Sequence, residues 1–140
     1  MDQNIFKAYD IRGKYPSEIN EDVVKKIISN FFSQKLKVKG KKLTVVIGRD
    51  TRLSSPDLYE AAINSLKIKN LKLKIILAGL STTPEMYFLV NKHNADFGIM
   101  ITASHNPKEY NGIKIAGPKA APISGKEVYI AINKNLKIKV

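Results

Sequence analysis

The sequence contains no cysteine, and this absence excludes a disulfide-based fold, a zinc site with thiolate ligands and a thiol nucleophile. No apolar run approaches the roughly 18–20 residues that a membrane-spanning helix needs. The first four residues also lack the basic and apolar regions of a signal peptide. A chain of 140 residues has the size of one domain. We therefore expect a single cytoplasmic domain over residues 1–140, without a membrane partner.

Arginine is scarce, although the chain is strongly basic. Lysine and arginine number 24 against 12 acidic residues, a net charge of +12, but only Arg12, Arg49 and Arg52 are arginines. A basic surface attracts the phosphate backbone of nucleic acids, yet the guanidinium groups that read guanine edges are nearly missing. The lysines lie mostly in alternating patterns such as Lys35–Lys39, which are typical of a solvated surface. We expect no nucleic-acid partner.

Four short segments, rich in apolar and β-branched residues and bounded by glycine or polar residues, predict strands. They are Leu43–Ile47, Leu71–Ala78, Phe97–Ile101 and Ile113–Ala116. Continuous apolar strands that alternate with helices indicate a sheet covered on both faces. The sequence therefore predicts an α/β fold, a three-layer α/β/α domain with a mainly parallel, mixed four-stranded sheet.

Four helices are predicted from apolar residues at helical spacing behind capping residues or a proline. They begin, in chain order, at the cap Asn20, the cap Ser55, Thr83 and Glu127. The first ends before a lysine-rich connector that closes with Gly40, and the last runs to about Leu136. In such sheets ligands bind beyond the carboxyl ends of the strands, so we expect the polar segments after Ile47, Ala78 and Ile101 to meet there.

The segment after the third predicted strand places a hydroxyl beside an imidazole. Ser104 has the chemistry of an acceptor in nucleophilic or phosphoryl-transfer reactions, and His105 that of a base or a phosphate contact. Pro107 biases Asn106 toward extended backbone, which stiffens the loop.

A turn predicted at Asn111-Gly112 brings Lys114 back toward this loop, as a positive charge for a phosphate or as a proton donor. The same residue types also fit an ordinary loop, in which Ser104 and Asn106 cap backbone groups and His105 faces solvent. Adjacent serine and histidine side chains point apart, so they do not form a protease-like pair. Residue types alone leave both interpretations open.

Four segments, in the same order, resemble motifs of the α-D-phosphohexomutases. They are Ala8–Gly13, Gly48–Arg52 with Ser54 and Ser55, Gly79–Pro84, and Thr102–Pro107 followed by Tyr110–Lys114. The last is similar to the family's phosphoserine loop. The opening Tyr-Asp-Ile-Arg-Gly and the threonine before Ala103-Ser104 resemble the phosphomannomutase/phosphoglucomutase branch.

The resemblance implies a role for each matching residue. Ser104 matches the serine that is phosphorylated in the resting enzyme, which exchanges its phosphoryl group with a hexose 1- or 6-phosphate through a bisphosphate intermediate. Its phosphate would be one ligand of Mg²⁺, and hexose 1,6-bisphosphate would be the activator. His105 and Lys114 match residues with acid/base or transition-state roles.

Further residues are implied to lie in the cleft. Tyr9 and Arg12 match residues that line it. The residue that Arg12 matches lies near the phosphoserine, which implies a catalytic role for Arg12. Asn106 and Lys114 are implied to bind the phosphosugar substrate. The Gly48–Arg52 segment is interpreted mainly as structural support for the serine loop, with Asp50 pairing with Arg52 or capping a turn. The residues Ser81–Thr83 are interpreted as helix caps.

Members of this family have four domains, and the resemblance covers only the first. The Asp-Gly-Asp-x-Asp metal loop of the second domain has no counterpart among the six aspartates of this chain. We expect domains II to IV to be partners, and the chain alone to bind Mg²⁺ weakly and to be inactive. The full-length protein would be a phosphomannomutase/phosphoglucomutase. The alternative hypothesis is a standalone phospho-ligand or partner-binding module without catalysis.

Overall fold

A computed structural model of the protein describes residues 1–67 and 72–134, apart from the side chains at 38 and 39. The strands are β1 Ile11–Lys14, β2 Leu43–Arg49, β3 Leu73–Leu80, β4 Phe97–Ile101, β5 Tyr110–Ala116 and β6 Pro122–Ile123. The helices are α1 Glu21–Lys39, α2 Ser55–Lys67, α3 Thr83–Lys92 and α4 Gly125–Asn133. None of the helices in these ranges is long and apolar enough to cross a membrane.

The strands form one mixed sheet in the order β1-β5-β4-β2-β3, with β6 paired to β5. Strand β2 is parallel to β3 and β4, whereas β5 is antiparallel to β1, β4 and β6. The prediction of an α/β/α domain with a mixed sheet is confirmed. The prediction of four mainly parallel strands is wrong, because the sheet has six strands and is only partly parallel in the described residues.

Two physical reasons account for the difference. Strand β1 carries Arg12, Gly13 and Lys14, so it has no apolar run by which a sequence pattern would reveal it. Residues 102–109 connect β4 to β5, and a parallel crossover needs at least about a dozen residues. The chain therefore reverses after β4, and β5 pairs antiparallel to it.

Helices cover both faces of the sheet. One core lies between the sheet and helices α1, α2 and α4, with Phe31, Phe32 and Phe97 packed edge to face. The second core lies under α3, where Met86 and Val90 meet the sheet. The packing at Gly98 is tight, because a Cβ at this position would lie 2.3 Å from the Met86 sulfur and 2.6 Å from Val90 Cγ2, so both side chains would have to move. Three layers with two cores follow from these contacts.

The start of α1 agrees with the prediction, whereas its end lies further along the chain than predicted. The Asn20 side chain accepts a hydrogen bond from the Val23 N–H at 3.0 Å, as an N-cap does. Helix α1 continues to Lys39, so the lysine-rich connector is helical. Lysine, leucine and glutamine are good helix formers, and Leu36 packs against the core. Gly40 ends the helix in left-handed backbone at φ 60°.

The other helix starts differ by one to three residues from prediction. Helix α3 is capped by Thr82 rather than Thr83, and α4 is capped by Ser124, three residues before Glu127. In both, the cap N–H donates to a glutamate side chain three residues later, and this capping box is favoured over the neighbouring start. Ser55 is the first residue of α2 and not its cap. The predicted limits Leu71 and Leu136 lie outside the described residues.

Candidate active site

The three polar segments that follow the parallel strands meet at one edge of the sheet. The Asp50 N–H, just after β2, donates to the Ile101 carbonyl at 3.0 Å. The Ser81 N–H, just after β3, donates to the Arg49 carbonyl at 2.9 Å. The carboxyl ends of β2, β3 and β4 therefore form a single rim, as the sequence predicts.

The loop after β4 holds Ser104 in an unusual backbone conformation. Ser104 has a φ of 55°, in the left-handed region, which costs a residue with a Cβ about 1–2 kcal/mol. Its N–H donates to Thr102 Oγ1 at 3.0 Å. The Ser104 side chain is exposed and has no hydrogen-bond partner within the described ranges. The serine hydroxyl is therefore free for chemistry while its backbone is fixed.

The two residues after Ser104 have different surroundings. His105 is exposed next to the serine. Asn106 is half-buried, and its Nδ2 donates to the Ala103 carbonyl at 2.8 Å. Asn106 thus closes the loop on itself, which is the capping role that the residue types also allowed. Its amide nitrogen is engaged in the loop.

Arg52 fastens this loop from the neighbouring segment. Its guanidinium Nη1 donates to the carbonyls of Pro107 at 2.7 Å and Tyr110 at 3.0 Å. Its Nη2 donates to those of Ser104 at 3.0 Å and Asn106 at 2.8 Å. Its Nε lies 3.3 Å from an oxygen of Asp50. All five N–H groups of the guanidinium have an acceptor.

Asp50 joins Arg52 to the start of the serine loop. Its Oδ2 accepts from Thr102 Oγ1 at 2.7 Å, and its Oδ1 accepts from the Arg52 N–H at 3.0 Å and from Ser55 Oγ at 2.5 Å. Both carboxylate oxygens are therefore used within the protein. The interpretation of Gly48–Arg52 as support for the serine loop agrees with this geometry.

Asn111 extends the network into the sheet and corrects a predicted turn. Asn111 and Gly112 lie inside β5 and not in a turn. Asn111 is fully buried, and its Nδ2 donates to the hydroxyls of Ser54 and Ser55. The chain instead turns between Pro107 and Tyr110. The predicted strand Ile113–Ala116 therefore begins three residues earlier than expected, at Tyr110, because Asn111 has buried partners that a local pattern does not show.

Arg12 and Lys114 lie on one face of the sheet. Arg12 is opposite Gly112, and Lys114 is opposite Met100. Since alternate residues share a face, Arg12 and Lys114 both lie on the α3 side, where each remains half-buried. Two cations thus occupy the β1–β5 part of this face.

Asp10 is the counter-charge of these cations. It is 5% exposed, and its Oδ1 lies 2.9 Å from Arg12 Nε. Burial raises the pKa of the Asp10 carboxyl, and the charges of Arg12, Lys114 and Lys7 oppose that rise. The sequence reasoning passed over Asp10. The signal was its spacing of two from Arg12, which places opposite charges on one face of an extended chain.

A surface cavity of about 280 Å³ brings two of the predicted residues together. Arg12 and Asn106 line it, with Lys7 and Tyr110 and the carboxylates Asp2 and Glu18. Tyr9, by contrast, is 74% exposed and has no hydrogen-bond partner in residues 1–67 and 72–134. Ser104, His105 and Asn106 thus share one loop, Arg12 joins Asn106 at the cavity, and Tyr9 lies apart in open solvent.

The described residues do not form a metal site. Among residues 1–67 and 72–134 no group of three or more histidine, aspartate or glutamate side chains could hold an ion. Asp50, the carboxylate of the serine-loop network, already has both oxygens engaged. Mg²⁺ prefers several oxygen ligands in near-octahedral geometry. A phosphate on Ser104 would therefore find no complete set of protein ligands here.

A family model matches residues 3–138 and carries the description "Phosphoglucomutase/phosphomannomutase, alpha/beta/alpha domain I". The chain is 42% identical over 127 residues to the phosphohexose mutases of Xanthomonas campestris pv. campestris, covering 91% of this chain and 27% of that protein. It is 42% identical over 120 residues to the phosphomannomutase of Escherichia coli K12, covering 86% of this chain and 25% of that one.

A solved structure gives the same relationship at the level of the fold. A phosphoglucomutase/phosphomannomutase family protein from Burkholderia thailandensis superposes with a TM-score of 0.81 at 32% sequence identity. The match covers 98% of this chain and 30% of that chain. The chain thus spans about a quarter to a third of the length of these three proteins.

Proposed function

Because the chain belongs to the phosphoglucomutase/phosphomannomutase family as its α/β/α domain I, we propose that it supplies the phosphoryl-carrying serine of a phosphohexomutase. Ser104 is that serine, and the enzyme interconverts hexose 1-phosphate and hexose 6-phosphate, with mannose or glucose as the sugar. The observation that carries the proposal is the exposed Ser104 side chain on a loop whose backbone is fixed by Thr102 and Arg52.

The transfer balances with the residues of this loop and Lys114. The bond between phosphorus and Ser104 Oγ breaks, a bond forms between phosphorus and a sugar hydroxyl oxygen, the hydroxyl proton passes to His105, and Lys114 donates a proton to the leaving Ser104 Oγ. After the bisphosphate has turned around, Ser104 Oγ gives this proton back to Lys114 and takes the other phosphoryl group. The sugar oxygen left behind then recovers the proton from His105. Serine and histidine act here on the substrate in turn, so their side chains need not face each other.

Arg12 and Lys114 supply positive charge for the phosphate groups. A phosphoserine carries a charge of about −1.5 to −2 at neutral pH, and two cations on the same face of the sheet favour its approach. Arg12 reaches the cavity that Asn106 also lines, so these residues and Lys114 are proposed to contact the phosphosugar. Tyr9, which is 74% exposed, is proposed to contact the sugar.

We further propose that these 140 residues do not complete the active site. Mg²⁺ and hexose 1,6-bisphosphate are the proposed cofactor and activator, and Mg²⁺ would neutralise charge on the transferring group. The described residues lack the carboxylate ligands for it, so domains II to IV of the family are the proposed source of these ligands. Leu53, one residue after Arg52, is 99% exposed, which supports a covering partner at this rim.

Intact mass after incubation with Mg²⁺ and glucose 1,6-bisphosphate, with domains II to IV of the family supplied to the chain, tests the serine assignment. We expect a gain of one phosphate, mapped to Ser104 and lost in Ser104→Ala. Phosphate on a different residue, retained in Ser104→Ala, would contradict the proposal. In a coupled assay with glucose 1-phosphate and the bisphosphate, the chain alone should give no turnover. Substantial turnover would contradict the proposed incompleteness.

The cavity favours a second candidate, a phospho-ligand or partner-binding module without catalysis. A volume of about 280 Å³ beside Arg12 and Lys7 is enough for a small phosphorylated ligand. Titration of glucose 6-phosphate into the chain and into Ser104→Ala, read together with the bisphosphate reaction, distinguishes the two. A module binds the ligand in both proteins and takes no phosphate from the bisphosphate.

A further inference from the structure

We propose that Arg52 and Thr102 are positioning residues, which set the backbone conformation of Ser104 and thereby the direction of its hydroxyl. The inference rests on the proposed function only in that Ser104 is the phosphoryl carrier. The backbone geometry itself is independent of that role. Neither residue touches the reacting atoms, so both act through the serine.

Arg52 is unable to serve as a phosphate ligand in this arrangement. Its five N–H groups are divided among Asp50 and the four carbonyls of Ser104, Asn106, Pro107 and Tyr110, and its side chain is 13% exposed. A planar fork with five fixed donors fits four carbonyls of one loop. A lysine ammonium has three donors on a flexible stem and does not reproduce the pattern.

Thr102 transmits the position of Asp50 to the serine. Because the Thr102 hydroxyl donates its proton to Asp50 Oδ2 at 2.7 Å, its oxygen is oriented to accept the Ser104 N–H at 3.0 Å. Asp50 is held in turn by Ser55, whose hydroxyl also accepts from the buried Asn111. The chain of hydrogen bonds thus runs from β5 to the serine N–H.

The two contacts hold Ser104 from both sides of its Cα. Thr102 fixes the N–H and Arg52 fixes the carbonyl of the same residue. A serine at φ 55° relaxes to ordinary backbone when such constraints are removed, since left-handed backbone is unfavourable for a residue with a Cβ. That relaxation would swing the Cβ and the hydroxyl away from their present direction.

NMR of the 140-residue chain tests the backbone claim with Arg52→Lys and a matched control, Arg49→Lys. Arg49 lies on the same segment, but its Nη1 donates to the Asp50 carbonyl and not to the serine loop. In Arg52→Lys we expect loss of the strong intraresidue NOE between the Ser104 amide proton and Hα that left-handed backbone gives. Hydrogen exchange of the Ser104 amide should accelerate by about tenfold. The exchange rate of the Ile99 amide, in the buried strand β4, should stay the same. Arg49→Lys should leave both unchanged.

Thr102→Val provides a second variant if Arg52→Lys does not fold. Valine has nearly the shape of threonine but a methyl group in place of the hydroxyl, so it cannot accept the Ser104 N–H, and the same changes at the Ser104 amide are expected. Unchanged NOE and exchange at Ser104 in every folded variant would overturn the proposal. The same readouts separate positioning from general stabilisation, because a merely structural role would accelerate exchange at Ile99 as well.

A phosphoserine placed at position 104 by genetic encoding links the geometry to the phosphate. Phosphorus NMR then reports the second pKa of the phosphate, near 6 in the absence of neighbours. We expect this pKa to change in Arg52→Lys and to stay the same in Arg49→Lys, because only the former redirects the phosphate. Equal values in all three proteins would overturn positioning of the side chain. Failure of the bisphosphate reaction, in contrast, would count against the proposed function alone.

Discussion

Arg12 Nε lies 2.9 Å from Asp10 Oδ1, and the aspartate is only 5% exposed. The guanidinium at the cavity is therefore anchored by a carboxylate that water hardly reaches. The charges of Lys114 and Lys7 also favour the ionised form of this carboxyl and oppose the rise of its pKa. One buried carboxylate thus interacts with three positive charges. Asp10 is thus central to the electrostatics of this face.

The raised pKa of Asp10 predicts how stability changes with pH. Because the folded pKa lies above the unfolded value of 3.8, the folded state binds more protons between the two values. Its stability should therefore fall as the pH rises through that window. Asp10→Asn removes this loss. Urea unfolding at pH values from below 3.8 to neutral should show the stability of the wild type falling relative to the variant, whereas parallel curves would contradict the raised pKa.

Gly112 leaves no room for a side chain, so adding a single methyl group there should lower the stability of the fold strongly. An added Cβ would lie 2.0 Å from the Ile11 carbonyl oxygen and 3.0 Å from that of Thr102. Both are backbone atoms, so Gly112→Ala must push β1 away from β5. We expect a loss of roughly 3 kcal/mol or more in the free energy of unfolding, as for other severe overpacking.

Gly117→Ala is the matched control for that change. Its Cβ would meet nothing nearer than 3.7 Å, so we expect a change within about 0.5 kcal/mol. Denaturant unfolding of both variants measures the difference. Equal effects would show that the approach of β1 to β5 at Gly112 is not what limits the side chain there.

The buried elements of this fold could be predicted from sequence because their signals are local. Strand β4 was predicted with its observed limits, Phe97–Ile101, since five buried residues in a row leave a continuous apolar run. The cap Asn20 was predicted correctly because an N-cap side chain accepts an N–H only a few residues ahead, here that of Val23, so both partners lie in the local sequence. The rim also followed, because parallel strands place their carboxyl ends together.

The elements that were missed depend on distant partners. Strand β1 is short and charged, and it exists because β5 pairs with it. Asn111 belongs in a strand because Ser54 and Ser55 accept its amide hydrogens. The hydrogen bonds from Arg52 to four carbonyls form only when the fold brings two loops together. No periodic pattern in the sequence reveals them. Such features follow from tertiary contacts, so a local pattern does not contain them.

The capping box of α3 gives a further prediction. The sequence places the start of this helix at Thr83, whereas the structure shows Thr82 as its cap. Thr82 Oγ1 accepts the Glu85 N–H at 3.2 Å, whereas Thr83 is the first helical residue. Thr82→Ala should therefore cost about 1 kcal/mol of stability. Thr83→Ala, the control, should cost only a few tenths of that. Thermal unfolding checks both, and a larger loss in Thr83→Ala would reassign the cap.

Mg²⁺ binding is the last prediction, and it follows from the charges around the serine. The described residues hold no cluster of carboxylates, and Asp50 has both oxygens bonded to Thr102, Ser55 and Arg52. A phosphate on Ser104 would then be a lone anionic ligand, facing a domain of net charge +12, while Mg²⁺ takes one or two carboxylates with its phosphate oxygens.

Calorimetric titration of Mg²⁺ into the chain with phosphoserine at position 104 should consequently show weak binding that does not saturate at cellular Mg²⁺ concentrations. The unphosphorylated chain should show none, and Asp50→Asn should leave the weak Mg²⁺ affinity of the phosphorylated protein unchanged, because Asp50 has no free oxygen to offer the metal. Saturable one-to-one binding at micromolar Mg²⁺ would contradict this prediction. A loss of that binding in Asp50→Asn would then mean that the carboxylate exchanges Thr102 and Ser55 for the metal.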